Sequence, residues 1–403
     1  MTVFGLALAL IAAPVVMYAY AYALYPLGLL AGVSVRRLTT ARRQGSGRPQ
    51  DEEWPMISFS LPAYNEEATI AGALDALLAV DYPEDRRQIL VTSDASDDRT
   101  DQIVAAYGHR GVQLLRLSER GGKTAAENES STHLHGDIVV NTDASIRVLP
   151  RSVKPLVRAL ADPGVGVASG RDVSVGARGT EGNVGETGYV GYEMWVRSLE
   201  SELGSIIGAS GCFYATRRDL HQIEVPPLLS RDFAAVLKAR AAGYRSVHVH
   251  DAVCLVPRTG SPGVEYRRKV RTISRGMDTL LHYRALLNPL THGTFAIALA
   301  SHKLCRWLGP LLLPIGLTGL VLAAVGEPLA RWILALGVVA TLSASIAVRR
   351  PARGGGPARL FAIGGYVLAS NLACIAAWIS VARGRGRAVW EPTRREGLEG
   401  DTA

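Results

Sequence analysis

Three aspartates, one lysine and a run of arginines carry the chemistry legible in this chain of 403 residues. Asp94 lies in Ser93-Asp94-Ala95-Ser96-Asp97-Asp98, Asp143 in Thr142-Asp143-Ala144-Ser145, and Asp232 in Ser230-Arg231-Asp232-Phe233. Lys123 follows two glycines in Gly121-Gly122-Lys123-Thr124-Ala125-Ala126-Glu127-Asn128, and Arg268, Arg271 and Arg275 recur along Val264–Leu281. Carboxylates accept hydrogen bonds from N–H and hydroxyl groups, take up protons and coordinate hard cations, while ammonium and guanidinium groups pair with phosphate. Gathered in one site, these groups suit a ligand rich in phosphate and hydroxyls. Taken singly, each also has a plain reading. Asp94 to Asp98 can be an acidic turn capping a helix from Thr100, Asp143 a turn residue and Asp232 a helix N-cap. The arginines can be a solvated face touching lipid phosphates.

The elements that must position these groups follow from hydrophobic periodicity. Ile57–Leu61, Ile89–Thr92, Val112–Leu117, Ile138–Asn141 and Val165–Ser169 are short apolar runs separated by amphipathic helical stretches. That alternation predicts an α/β domain with a mostly parallel sheet covered on both faces, whose ligands bind at the carboxyl ends of the strands. Asp94 and Asp143 fall at such ends. Val264–Leu281 has a helical period, with Val270, Ile273, Met277, Leu280 and Leu281 on one face and the arginines opposite. Such a helix is expected to lie at a membrane surface beside the site.

The remaining chain reads as membrane. Nearly half of the residues, 48%, are hydrophobic, and they are concentrated in blocks. Phe4–Leu30 is uncharged and is followed by Arg36, Arg37, Arg42 and Arg43, the pattern of an anchor and not of a cleaved signal peptide. The positive-inside rule then puts the N-terminus outside and the soluble domain in the cytoplasm, on a multi-pass protein of the cell (inner or plasma) membrane. The expected division is an anchor at 1–35, a basic linker at 36–53, the soluble domain at 54–263, amphipathic interfacial helices at 264–301, membrane segments at 302–385 and a basic tail at 386–403. Trp307–Val325, Leu329–Val348 and Leu360–Val381 are the later apolar segments. Four full crossings would leave the Arg-rich tail outside, so Leu360–Val381, with Gly364, Gly365 and Asn371, is the candidate for an interfacial or re-entrant segment.

The net charge of +8 sits in clusters flanking apolar segments, which favours lipid headgroups and diphosphates over nucleic acid as acidic partners. Cys212, Cys254, Cys305 and Cys374 lack CxxC spacing, which points to free thiols and to neither a zinc site nor a disulfide. His248 and His250, at strand spacing beside Asp251, are expected to pack or hydrogen-bond.

Together with Leu61-Pro62-Ala63-Tyr64-Asn65-Glu66-Glu67, Ser210-Gly211-Cys212-Phe213-Tyr214 and Arg268-Lys269-Val270-Arg271-Thr272, the motifs above form an ordered series. From about Trp54 to Thr272 the chain resembles family 2 glycosyltransferases of the membrane-embedded branch that includes hyaluronan, chitin, poly-N-acetylglucosamine and cellulose synthases. The resemblance implies a GT-A fold, an inverting transfer from a UDP-sugar and a Mg2+ or Mn2+ cofactor. It assigns Pro62, Tyr64, Glu66, Asp94, Lys123, Asp143 and Arg271 to the nucleotide, Asp143 and Ser145 to the metal, and Asp232 to the catalytic base. Ser210, Gly211, Cys212, Phe213, Tyr214, Arg268, Thr272 and Trp390 would face the acceptor, a growing glycan or a lipid-linked sugar, with export-complex subunits as further partners. Five positions depart from the family pattern, the first being Ser93, which precedes Asp94 where family members often show two adjacent acids. Ser145 replaces an acid of the metal motif, Arg231 the acid before the base, Arg268 a glutamine and Thr272 a tryptophan. Thr272 removes a stacking platform of processive enzymes and favours a single transfer. The departures also keep open a catalytically weakened subunit that binds nucleotide or glycan.

Overall fold

A computed structural model of the chain describes residues 2–40, 53–175, 184–257, 262–349 and 357–384. Its strands are β1 (Ile57–Ala63), β2 (Arg87–Ser93), β3 (Val112–Arg116), β4 (Ile138–Thr142), β5 (Arg147–Val148), β6 (Val165–Val175), β7 (Phe213–Arg217) and β8 (Arg245–Pro257). They form one sheet in the order β3-β2-β1-β4-β7-β6-β8-β5. All five strands expected from periodicity are present. The sheet is mixed, however: β1 to β4 are parallel to their neighbours and β6 to β8, but β7 runs against both β4 and β6, and β5 against β8. A buried run such as Phe213–Arg217 carries no signal of its direction, which only its partners decide.

The helices are α1 (Val3–Ala19), α2 (Tyr25–Thr40), α3 (Ile70–Leu78), α4 (Thr100–Ala106), α5 (Lys123–Ser130), α6 (Val153–Leu160), α7 (Val184–Leu203), α8 (Arg218–Gln222), α9 (Arg231–Ala241), α10 (Pro262–His282), α11 (Pro289–His292), α12 (Thr294–Leu299), α13 (Cys305–Gly326), α14 (Pro328–Arg349) and α15 (Pro357–Ala382). Every residue of β1 is buried, as expected for an inner strand between two parallel partners. One core joins β1 to α3 and α6 through Phe59, Leu61, Leu74 and Leu156. A second joins α9 and α10 to the 206–207 segment through Val236, Leu237, Leu280 and Ile207.

Among the described residues, four helical stretches have the length and apolarity to cross a membrane: Val3–Thr39, Thr294–Gly326, Pro328–Ser345 and Ile363–Ala382. The first is continuous, because a π-helical turn at Tyr20–Leu24 joins α1 to α2. It extends to Thr40, through the Arg36 and Arg37 that the sequence reading put in a linker, and Arg37 forms a two-pronged ion pair with Glu202 at the end of α7. Gly316 and Gly319 let α13 press against Pro14 and Ala7 of α1, where an added methyl would clash. A buried polar cluster ties these helices to the soluble domain. His302 bridges Glu200 at 2.6 Å and Glu193 at 3.0 Å, Tyr25 donates to Glu200 at 2.7 Å, and Arg306 pairs with Glu193.

Two expectations for the C-terminal half change. The glycines at 364 and 365 do not interrupt α15, which is one unbroken helix. The apolar face of α10 is covered by α15: Met277 packs with Cys374 and Ala377, and Lys269 donates to Ser370 at 2.8 Å. Leu281, assigned to that face, is 49% exposed near the end of α10, whereas Leu280 is buried.

Candidate functional site

Because β1, β2 and β4 are parallel, their carboxyl ends open on one edge of the sheet, and the antiparallel β7 brings the residues before its own start to the same edge. A cleft of about 320 Å³ lies there, within the range of small-molecule sites. Lys123, Asp143, Asp232 and Arg271, from four separate segments, all line it. So do Glu66, Ser145, Gly211, Cys212, Tyr214, Arg268 and Thr272.

Lys123 opens α5 directly after Gly122, whose φ of +90° is a conformation that a side chain resists. Its ammonium donates to Asp143 Oδ1 at 2.5 Å and to the Gly211 carbonyl at 3.1 Å. Burial alone would lower the lysine pKa, but Asp143 and Glu127 more than offset it, so the ammonium is held charged. Glu127 lies one helical turn after Lys123, and burial raises its pKa against the opposing pull of Lys123 and Arg231. Its Oε2 has no hydrogen-bond partner among the described residues.

Asp94 does not cap the helix at Thr100. Asp98 does that, accepting from Thr100 N at 2.8 Å. The two oxygens of Asp94 accept instead from Gly121 N at 2.7 Å and Gly122 N at 2.8 Å, so this buried carboxylate shapes the loop in front of Lys123. The next residue, Ala95, has φ +55°, and Asn65 after β1 has φ +52°. Left-handed backbone at a residue other than glycine costs roughly 1–2 kcal/mol, and here it marks the turns at the ligand edge.

Asp232 is likewise not the N-cap of α9, a position that Ser230 holds. Ser230 Oγ donates to Asp232 Oδ1 at 2.5 Å, and a methyl group on Gly211 would lie 3.6 Å from Asp232 Oδ2. The carboxylate therefore faces the cleft across a residue without a side chain. Arg231, beside the cleft, donates to Asn128 Oδ1 and to the His221 carbonyl at 2.7 Å.

The basic face of α10 closes the cleft. Arg268 forms a two-pronged ion pair with Glu265, at 2.7 and 2.9 Å, while Arg275 donates to Thr124 Oγ1 at 2.7 Å and to the Leu229 carbonyl. These arginines are wall groups of the site and not a bare surface.

Several expected residues lie elsewhere. Phe213 is fully buried in the core and has no ring face for a sugar, because as the first residue of β7 it points into the sheet. Pro62 is buried within β1, and Tyr64 has Arg120 stacked 3.7 Å over its ring. Ser210, 1% exposed, donates to Asp172 Oδ1 at 2.6 Å. Trp390 lies outside the described residues. Glu127, Asp172, Thr124 and Ser230 line the cleft without having been assigned from sequence, as do Arg231 and Arg275. Helical spacing from Lys123 points to Glu127, and spacing from Arg271 points to Arg275. Asp172 has no local signal, since only the pairing of β6 brings it to the edge.

The chemistry of the donors allows a hard divalent cation. Asp143 and Ser145 present a carboxylate and a hydroxyl, an ammonium already occupies the cationic position on Asp143, and Mg2+-type sites are often completed by one or two carboxylates plus substrate phosphates.

Comparison with known proteins agrees with this geometry. Residues 58–222 match the family described as Glycosyl transferase family 2. An N-acetylglucosaminyltransferase of Rhizobium sp. (strain N33) is 25% identical over 255 residues, 58% of this chain and 55% of that protein. A poly-beta-1,6-N-acetyl-D-glucosamine synthase of Staphylococcus epidermidis is 25% identical over 239 residues, 56% of this chain and 55% of that one. The chain thus spans about half the length of these relatives. Among solved structures, the mannosyltransferase PcManGT from Pyrobaculum calidifontis, in complex with GDP-Man and Mn2+, superposes with a TM-score of 0.68 at 24% identity, over 95% of this chain and 100% of that one. The superposition shows a shared GT-A fold. Residues 58–222, which supply much of the cleft, thus form a domain that matches the family 2 glycosyltransferases.

Proposed function

We propose that this protein is a membrane-bound, inverting glycosyltransferase that moves a sugar from a UDP-sugar, of the N-acetylglucosamine type, to a growing polysaccharide or another glycan near the membrane. The observation that carries the reading is the convergence of Lys123, Asp143, Asp232 and Arg271 on one cleft at the carboxyl ends of the strands. In this reading Asp232 takes the proton of the acceptor hydroxyl while that oxygen attacks the anomeric carbon. The bond from that carbon to the diphosphate breaks, the diphosphate leaves, and the configuration inverts. Lys123 and Arg271 balance the charge of the diphosphate, and Asp94 acts through the Gly121–Gly122 loop that it holds. A divalent cation on Asp143 and Ser145 would supply further positive charge to the leaving group.

The soluble domain faces the cytoplasm, where nucleotide sugars are made. A second reading, a single transfer to a lipid-linked acceptor, draws support from Thr272. It lines the cleft where processive enzymes carry tryptophan, and Tyr214 is the one aromatic residue among the described lining residues. The test is nucleoside diphosphate release by the detergent-solubilised protein, with Mg2+ or Mn2+, across UDP- and GDP-sugars, followed by sizing of the labelled product. Release from a UDP-sugar with a long product supports the polysaccharide reading, and a short lipid-extractable product supports the second. Release from GDP-sugars alone overturns the choice of donor, and nucleotide binding without release from any sugar overturns the enzymatic reading.

A further inference from the structure

The acceptor side of the cleft holds a second cluster of ligating groups that the transfer mechanism does not use. Asp172 on β6, Cys212 just before β7 and Cys254 on β8 bring one carboxylate oxygen and two thiol sulfurs within 4.8 Å of one another. Cys212 and Cys254 are far apart in sequence, and the register that pairs Asp172 with Cys254 across the β6–β8 ladder brings the group together. From this geometry we propose a binding site for a thiophilic divalent cation, Zn2+ or Cd2+, distinct from the hard-cation position at Asp143.

The donors have the right nature and spacing. Two thiolates and a carboxylate are ligands that select soft or borderline cations over Mg2+ and Mn2+. Cys254 Sγ lies 3.5 Å from Asp172 Oδ1. Two ligands on a tetrahedral zinc, with Zn–S of about 2.3 Å and Zn–O of about 2.1 Å, are separated by roughly 3.6 Å. The carboxylate is also held in place. Ser210 Oγ donates to Asp172 Oδ1 at 2.6 Å and accepts from Cys212 N at 3.2 Å and Phe213 N at 3.0 Å, and Ser210 N donates in turn to Ser169 Oγ at 2.8 Å. Outer hydrogen bonds of this kind orient metal-ligating carboxylates. Entry is from the cleft, because Asp172 and Cys212 line it and Cys254 lies buried behind them. Three protein donors would leave a fourth position for water, as in open zinc sites. Gly211, the residue before Cys212, is the one that Asp232 faces, so a cation here sits in the acceptor half of the site.

Cysteine spacing along the chain argues against a zinc site, since it detects only ligands close in sequence. Strand pairing supplies the proximity instead. Thiols bind such cations as thiolates, so cation binding releases protons and tightens as the pH rises.

The test needs no transfer activity and so stands apart from the proposed function. The full chain in detergent, stripped with chelator and kept reduced, is titrated with Cd2+ without nucleotide while thiolate-to-cadmium charge-transfer absorption is followed. The expected result is a band that saturates at one Cd2+ per chain, is displaced by Zn2+ and withstands a large excess of Mg2+. Cys212→Ser and Cys254→Ser should each abolish it, Ser210→Ala should weaken binding by about 10–100-fold, and Cys305→Ser with Cys374→Ser should leave it intact. A wild-type chain that gives no saturating band overturns the proposal, whether or not the variants fold. So does a band that survives in the Cys212→Ser, Cys254→Ser double variant.

Discussion

Replacing Asp232 with asparagine keeps the shape of the side chain and removes its ability to take a proton. In the fold, Oδ1 of Asp232 accepts from Ser230 Oγ at 2.5 Å, and the asparagine oxygen can accept the same bond, so the first turn of α9 is preserved. The Lys123–Asp143 pair is untouched. A positioned general base contributes typically 10²–10⁴-fold, which at about 1.4 kcal/mol per tenfold is roughly 2.7–5.5 kcal/mol of barrier. Transfer by Asp232→Asn should fall by that factor. Nucleotide affinity should hold or tighten slightly. Asp232 acts on the Lys123 ammonium only through its charge, less than Asp143 and Glu127 do, and its neutralisation removes a repulsion toward the diphosphate. The assay pairs kcat/KM for nucleoside diphosphate release with calorimetric nucleotide binding in the absence of acceptor, and a melting curve checks the fold. Turnover within about threefold of wild type refutes the assignment. A loss of turnover matched by an equal loss of nucleotide affinity also refutes it, since the side chain would then be serving the donor.

Asp143→Ala should weaken nucleotide binding by tenfold or more in Mn2+ and much less in chelator if, as proposed, the carboxylate is the charged metal ligand; equal losses in both, measured by calorimetry, would remove that role. Burial, reinforced by repulsion from Arg231, lowers the Lys238 pKa to about 7 from an ordinary 10.5, and its ammonium donates to the Ile223 carbonyl at 2.8 Å. Between those two values the unfolded lysine binds more protons than the folded one, so wild-type stability rises through that window and is lost as the pH falls through it, by up to ~4–5 kcal/mol. Lys238→Met should therefore be the more stable protein at about pH 6, with its advantage shrinking toward about pH 10; a constant difference between the two melting profiles would refute the reasoning. Gly136 packs against β1 so closely that an added methyl would lie 2.5 Å from the Ile57 carbonyl carbon and from Ser58 N. Gly136→Ala should lower stability by about 1–3 kcal/mol and leave KM unchanged, as melting curves and kinetics on the same samples can check.

Local signals made a good part of this protein readable. The five strands expected in the soluble domain are apolar runs with turn residues at their ends, and the carboxylates that follow β2 and β4 need only strand direction to reach the edge that carries the cleft. The arginine face of α10 followed from helical period, and the four long apolar helices from composition. Spacing was less informative where several structures share one pattern. Phe213 and Tyr214 are adjacent aromatics in the sequence, yet strand alternation sends the first into the core and leaves the second lining the cleft. The same limit applies to α10, whose apolar face suits either a membrane surface or a helix and is covered by α15.

What the sequence determined by itself is the inventory: which groups carry charge, which segments are apolar and which backbone positions require glycine. Those properties are encoded within a few residues. The tertiary structure decided the direction of β7, the capture of Asp94 by the Gly121–Gly122 loop, the pairing of Arg231 with Asn128 and the His221 carbonyl, and the meeting of Asp172 with Cys212 and Cys254. Each of these depends on partners distant along the chain, and the free energy that selects them comes from packing and register across the whole sheet, which no local window contains.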